Sequence, residues 1–155
     1  MLNIGDKAPD FTQPGSGDGT ITLSDYAGSN VVVYFYPKDD TPGCTTEALD
    51  FTAQLAAFAA SNTHIIGISK DTAAKHDKFI AKHDLGIALA SDADGTVCED
   101  YGTWVEKKMY GKTFMGIERA TFLIDASGHI SQIWRKVKVK GHVDAVLGAA
   151  QELAK

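Results

Sequence analysis

One short stretch concentrates the residues able to do chemistry: "YFYPKDDTPGCTTEALDF", residues 34–51. A strongly apolar run stops at Pro37, two aspartates and a Thr-Pro-Gly follow, and a single cysteine precedes an alanine- and leucine-rich stretch. Thr41 stands before Pro42, which pushes Thr41 out of helical φ/ψ and is itself favoured at the first helical position, so Thr41 reads as an N-cap. Cys44 then falls in the first turn, at the place where a capping box carries a glutamate. A thiolate there faces free backbone N–H groups and the positive end of the helix dipole, and both stabilise it. A free cysteine often serves only as a small buried hydrophobe. The polar neighbours Gly43, Thr45 and Thr46, and the position at a helix start, favour a reactive thiol.

The nearby charges work against that thiolate. Asp39, Asp40 and Glu47 are acidic, Glu47 lies one turn along the same helix, and like charges disfavour the ionised thiol. Something cationic must offset them. The chain has two arginines, Arg119 and Arg135. Arg119 opens "RATFLID", and its fork of donors can pair Glu47 and still face a thiolate. The competing reading makes it a strand-end surface residue. The other cysteine, Cys98 in "DGTVCEDYG", reads as a packed residue near the start of a short helix.

These residues need a scaffold. "VVVYFY" (31–36) and "THIIGIS" (63–69) are unalternating β-branched runs, as expected of strands covered on both faces. Between them, "TTEALDFTAQLAAFAAS" puts Leu49, Phe51, Leu55, Phe58 and Ala59 in a stripe at helical spacing. Strand, helix, strand predicts a parallel βαβ pair. A second helix is predicted over 71–84, a short strand over 87–91, and a hairpin from 119–125 and 129–134. A last helix over 142–154 carries Val143, Val146, Leu147, Ala150 and Leu153 on one face. The prediction is an α/β chain with a thioredoxin-like three-layer α/β/α sandwich on a mixed sheet, organised as one domain over 1–155. "QPGSGDGT" (13–20) reads as a turn.

Composition excludes several function classes. The 155 residues are 44% hydrophobic and 23% charged, with a net charge of −5, which argues against a nucleic-acid or anionic-membrane surface. "RKVKVK" (135–140) reads as an exposed lysine-bearing strand edge. No apolar run is long enough to span a bilayer, and the start lacks signal-peptide character. Two cysteines without a disulfide framework suit reduced thiols and a cytoplasmic location. His64, His76, His83, His129 and His142 show no metal-ligand spacing, and "DADG" (92–95) reads as a turn rather than a calcium loop. There is no CxxC and no glycine-rich phosphate loop after a strand. Neither a metal nor a cofactor is expected.

The pattern Pro37-x-x-x-Thr41-x-x-Cys44, followed far downstream by Arg119, resembles the peroxiredoxin active site. "VYFYPKDDTPGCTTEA", with "GISKD", "SDADGTVCEDYGTW" and "RATFLID", is similar to the peroxiredoxin Q group, also called bacterioferritin comigratory protein. The resemblance runs from "GDKAPDF" to the last helix. It implies a thiol peroxidase that reduces hydrogen peroxide and organic hydroperoxides, with Cys44 as the peroxidatic nucleophile that becomes a sulfenic acid. Thr41 and Arg119 would bond the peroxide oxygens, Pro37 would shield the sulfur, and the amides near Gly43 and Cys44 would complete the pocket beside Glu47. Many members carry a resolving cysteine five residues after the peroxidatic one, and that position here is Leu49. Others carry it on the following helix, but 72–84 contains none. Some members have a cysteine at the later position of Cys98 as well. The expectation is therefore a one-cysteine mechanism, with Cys98 not resolving. Thioredoxin is the family's usual reductant, with glutathione or a glutaredoxin as alternatives, and the resemblance suggests a monomer. The competing functional class is a non-catalytic thioredoxin-fold module that senses redox state or holds clients.

Overall fold

The apolar run at 31–36 becomes the middle strand of a five-stranded sheet. The computed structural model describes residues 1–155. Its elements are β1 (Thr12–Pro14), β2 (Thr20–Thr22), a 3-10 turn (Leu23–Tyr26), β3 (Asn30–Phe35), α1 (Pro42–Ala53), α2 (Leu55–Ala60), β4 (Thr63–Ser69) and α3 (Ala73–His83). There follow β5 (Ala88–Ser91), α4 (Val97–Asp100), β6 (Trp104–Met109), β7 (Lys112–Ile117), β8 (Ala120–Ile124), β9 (Ile130–Trp134) and α5 (His142–Leu153). The main sheet runs β5-β4-β3-β8-β9. β3, β4 and β5 are parallel, and β8 and β9 are antiparallel to their neighbours. This is the mixed α/β sheet of a thioredoxin-like fold.

Every residue of β3 is buried, which is why the strand carries no polar alternation. Successive side chains point to opposite faces. Val31, Val33 and Phe35 pack with Ile66, Ile68 and Phe122, under the amino-terminal segment, α4 and Tyr101. Val32, Tyr34 and Tyr36 pack with Phe51, Phe58, Phe79 and Val146 from α1, α2, α3 and α5. Cys44 belongs to this second cluster and Cys98 to the first. The two thiols therefore lie on opposite sides of the sheet.

The structure corrects several expectations. The helix after β3 starts at Pro42 and breaks at Gln54. Its inward face is Cys44, Glu47, Ala48 and Phe51, the i, i+3, i+4, i+7 set. Glu47 faces in because Arg119 meets it, so Leu49, two residues and roughly 200° further round the helix, is turned out and 42% exposed. Ala59 is also exposed. "RKVKVK" is not a strand: β9 ends at Trp134. Lys136 adopts φ 48°, a left-handed backbone that cannot continue an extended ladder.

Two hairpins were not predicted. β1 and β2 take Gln13, Pro14 and Thr20 out of the expected 13–20 turn and into ladder pairs, leaving 15–19 as the turn. β6 and β7 form a separate two-stranded ribbon closed by Tyr110 and Gly111, both at positive φ, as a two-residue type I′ connection requires. No helix is long and apolar enough to cross a membrane.

Candidate active site

The site is assembled where β3 ends and α1 begins. Asp40 takes φ 61° in the connection, a left-handed turn that aspartate tolerates better than most residues. Thr41 returns to extended backbone (φ −91°, ψ 156°) and Pro42 opens the helix. Thr41 holds the N-cap position, and its carbonyl accepts from the Thr45 N–H at 2.8 Å. Its hydroxyl does something else: it donates to the Lys38 carbonyl at 2.9 Å and caps no helix amide. The Gly43 and Cys44 amides belong to the first turn, where no helical carbonyl precedes them to accept.

Cys44 is 2% exposed. Arg119 reaches it from the start of β8, because the antiparallel register sets Ala120 opposite Phe35 and so brings residue 119 beside the carboxyl end of β3. Arg119 Nη2 donates to Cys44 Sγ at 3.3 Å, and Nη1 donates to Glu47 Oε1 at 2.7 Å. The Val137 N–H, within the corrected 135–140 segment, bonds the Arg119 carbonyl at 3.0 Å. A Cβ on Gly43 would lie 3.2 Å from Nη2, so glycine leaves the guanidinium its place beside the sulfur.

Burial pushes the Glu47 carboxyl up to about 7, against the opposing attraction of Arg119. Burial also opposes the charge of Arg119, but Glu47 and then Cys44 hold its guanidinium above its ordinary value, so it stays cationic. Burial, then the charges of Glu47 and Cys44, pushes the Tyr34 phenol well up and keeps it neutral. Tyr34 Oη and Glu47 Oε2 are buried without a hydrogen-bond partner. His142 Nε2 lies 2.8 Å from Thr121 Oγ1, and burial, then Arg119, pushes the imidazole down to about 4. It is neutral near pH 7.

The two aspartates that threatened the thiolate are engaged elsewhere. Asp39 is buried and accepts from the Tyr36 hydroxyl at 2.5 Å, with His76 Nδ1 at 2.7 Å. Asp40 meets Lys82 at 2.7 Å and His83 at 2.8 Å, and these bonds hold its carboxyl below the usual range. Pro37 is exposed, directly after the strand. Cys98 is fully buried. Its amide donates to Asp92 Oδ2 at 2.9 Å, and burial, then Asp92, pushes its thiol far up. Sequence reasoning brought Cys44, Thr41, Gly43, Glu47 and Arg119 to one place. Around Arg119 the structure adds Tyr34, His142 and Val137, whose residue types carried no local signal.

Residues 4–133 match the model of the AhpC/TSA family. The chain is similar to "Peroxiredoxin Bcp" of Bacillus subtilis, at 48% identity over 99% of this chain and 98% of the relative. It is also similar to "Peroxiredoxin Bcp" of Xanthomonas campestris, at 50% over 90% of this chain and 88% of the relative. Among solved structures, peroxiredoxin Q of Xanthomonas campestris superposes with a TM-score of 0.89 at 48% identity, covering 94% of this chain and 92% of that one. A Xylella fastidiosa PrxQ variant gives 0.94 at 40% identity, covering 100% and 99%.

Proposed function

The chain belongs to the AhpC/TSA family, and from that premise we propose that it is a thiol peroxidase working through Cys44 by a one-cysteine mechanism. The single observation that carries the assignment is the forked bond of Arg119 to Cys44 Sγ at 3.3 Å and Glu47 Oε1 at 2.7 Å. A cation is fixed against the sulfur, and its donors are already aimed at the place where negative charge develops.

The thiolate attacks the terminal peroxide oxygen. An S–O bond forms, the O–O bond breaks, and the leaving oxygen takes a proton to depart as water or an alcohol. Cys44 is oxidised to sulfenic acid and the peroxide is reduced. Arg119 stabilises the charge that moves across the breaking bond. The Thr41 hydroxyl has committed its hydrogen to Lys38, so it meets the peroxide as an acceptor. The Gly43 and Cys44 amides supply further donors, and Pro37 restricts water at the mouth. The Xanthomonas campestris bacterioferritin comigratory protein has an alkyl peroxide reduction activity, and organic hydroperoxides join hydrogen peroxide as substrates here.

Resolution comes from outside the chain. Cys98 lies across the sheet, fully buried, and Leu49 occupies the position five residues after Cys44. An external thiol, with thioredoxin first and glutathione or a glutaredoxin next, reduces the sulfenic acid. The protein works as a monomer of one domain in the cytoplasm. The test is peroxide consumption with thioredoxin and its reductase. Sustained turnover in wild type, abolished by Cys44→Ser, supports the peroxidase. One equivalent of peroxide consumed per chain, followed by arrest with every reductant, supports a redox sensor instead.

A further inference from the structure

"GISKD" (67–71) supplies no group to the chemistry above, yet its last residue holds the loop that carries Thr41. Asp71 Oδ2 accepts from the Asp39 N–H at 2.8 Å and from the Ser69 hydroxyl at 2.7 Å. The Asp39 N–H and the Lys38 C=O belong to one planar trans peptide unit and point in opposite directions. That carbonyl is the one accepting the Thr41 hydroxyl at 2.9 Å. Fixing the N–H end of the unit therefore fixes the carbonyl end.

Further bonds keep the unit from turning. The Asp39 carboxylate is held by Tyr36 and His76, and His76 Nε2 lies 3.1 Å from the Ala90 carbonyl. Asp71 is itself anchored to β5, its carbonyl accepting from the Ser91 hydroxyl at 2.6 Å. The consequence falls on Thr41. A hydroxyl has one hydrogen and two lone pairs. With the hydrogen committed to Lys38, only the lone pairs remain to meet a substrate. A freely rotating hydroxyl would instead divide its time between donating and accepting.

We propose that Asp71 is a positioning residue: by fixing the Lys38–Asp39 peptide it commits the Thr41 hydrogen to Lys38 and presents the Thr41 lone pairs to the O–H of the peroxide. This rests on the peroxidase reading of Cys44. Asp71 acts through Thr41 and not on the reacting atoms.

The experiment follows single-turnover oxidation of Cys44 by hydrogen peroxide, alongside its alkylation by iodoacetamide, which presents no O–H for Thr41 to accept. Asp71→Ala slows oxidation about tenfold or more while alkylation stays within about twofold. Asp71→Asn, whose amide oxygen can still accept the Asp39 N–H, restores most of the rate. In a Thr41→Val background, Asp71→Ala has no further effect on oxidation. Additive effects in that background, or equal losses of oxidation and alkylation, overturn the proposal. If Asp71→Ala does not fold, His76→Gln loosens the same peptide through Asp39, and the same cycle against Thr41→Val decides. A wild-type Cys44 that does not react with peroxide sinks the peroxidase reading itself, a different result from additivity in a working enzyme.

Discussion

Cys44 and Cys98 pack into different hydrophobic clusters, one on each face of the five-stranded sheet. A disulfide needs Cα atoms within about 7 Å, and the fully buried β3 lies between the two layers. Even a local unfolding of α1 would leave Cys44 on its own side of the sheet. Cys98→Ser is therefore expected to turn over peroxide at the wild-type rate with an external thiol. Mass spectrometry of the peroxide-treated wild type should show sulfenic acid on Cys44 and no internal disulfide. A Cys44–Cys98 bond in the folded protein would falsify the one-cysteine mechanism.

Arg119→Ala removes the donor to Cys44 Sγ and leaves Glu47 buried without its cation. The loss of one preorganised donor predicts a fall of about 100- to 1000-fold in the rate of Cys44 oxidation. Arg119→Lys is expected to recover little, because a point-like ammonium cannot bond Glu47 and the sulfur through one rigid fork. Stopped-flow oxidation of the two variants checks both statements. Near-wild-type oxidation by the lysine variant would show that charge alone suffices.

Gly43→Ala places a methyl 3.2 Å from Arg119 Nη2. The guanidinium must yield by a few tenths of an ångström, which lengthens its bond to Cys44. The oxidation rate should fall by about tenfold, while thermal stability holds or rises slightly, alanine being the better helix former. Measuring oxidation and Tm together separates this local effect from general damage.

Two buried groups near Arg119 respond to pH with opposite signs. Glu47 titrates at about 7 in the fold against an ordinary 4.5. Below pH 4.5 it is protonated whether the chain is folded or not. Between 4.5 and 7 the folded chain holds the extra proton, so stability from this group falls as pH rises through that window. Glu47→Gln should therefore gain on wild type by an amount on the order of 3 kcal/mol between pH 4.5 and 7, by urea unfolding.

His142 titrates at about 4 in the fold against an ordinary 6.5. Its neutral form stabilises the fold above pH 6.5, and that contribution is lost as pH falls towards 4. His142→Gln should lack this acid-side loss. Unfolding curves at pH 4.5, 6 and 8 for both variants test the signs, and equal slopes in variant and wild type would contradict them.

Much of the architecture was legible because its signals are local. β3 and β4 were written as unalternating apolar runs, and the β8–β9 hairpin as "RATFLID" and "HISQIW" around Ala-Ser-Gly. The β6–β7 ribbon was not legible. It stands off the main sheet with Met109, Tyr110, Phe114 and Met115 exposed, so no buried face imposed a pattern. The stripe through Leu49 misled because it counted apolar residues alone, whereas the inward face includes Glu47, a carboxylate that only Arg119 makes tolerable there.

The sequence by itself determined that Cys44 stands in the first turn of a helix after a buried strand. Run, proline, cap and thiol all lie within a few residues, and each acts on its neighbours' backbone. The tertiary structure decided what the thiol meets. Arg119 is 75 residues away, and only the antiparallel register of β8 on β3 brings it to the sulfur. The direction of the Thr41 hydroxyl likewise depends on Asp71, across the sheet connection. Hydrogen-bond geometry of this kind is set by which strands pair, and strand pairing leaves no mark on the residues nearby.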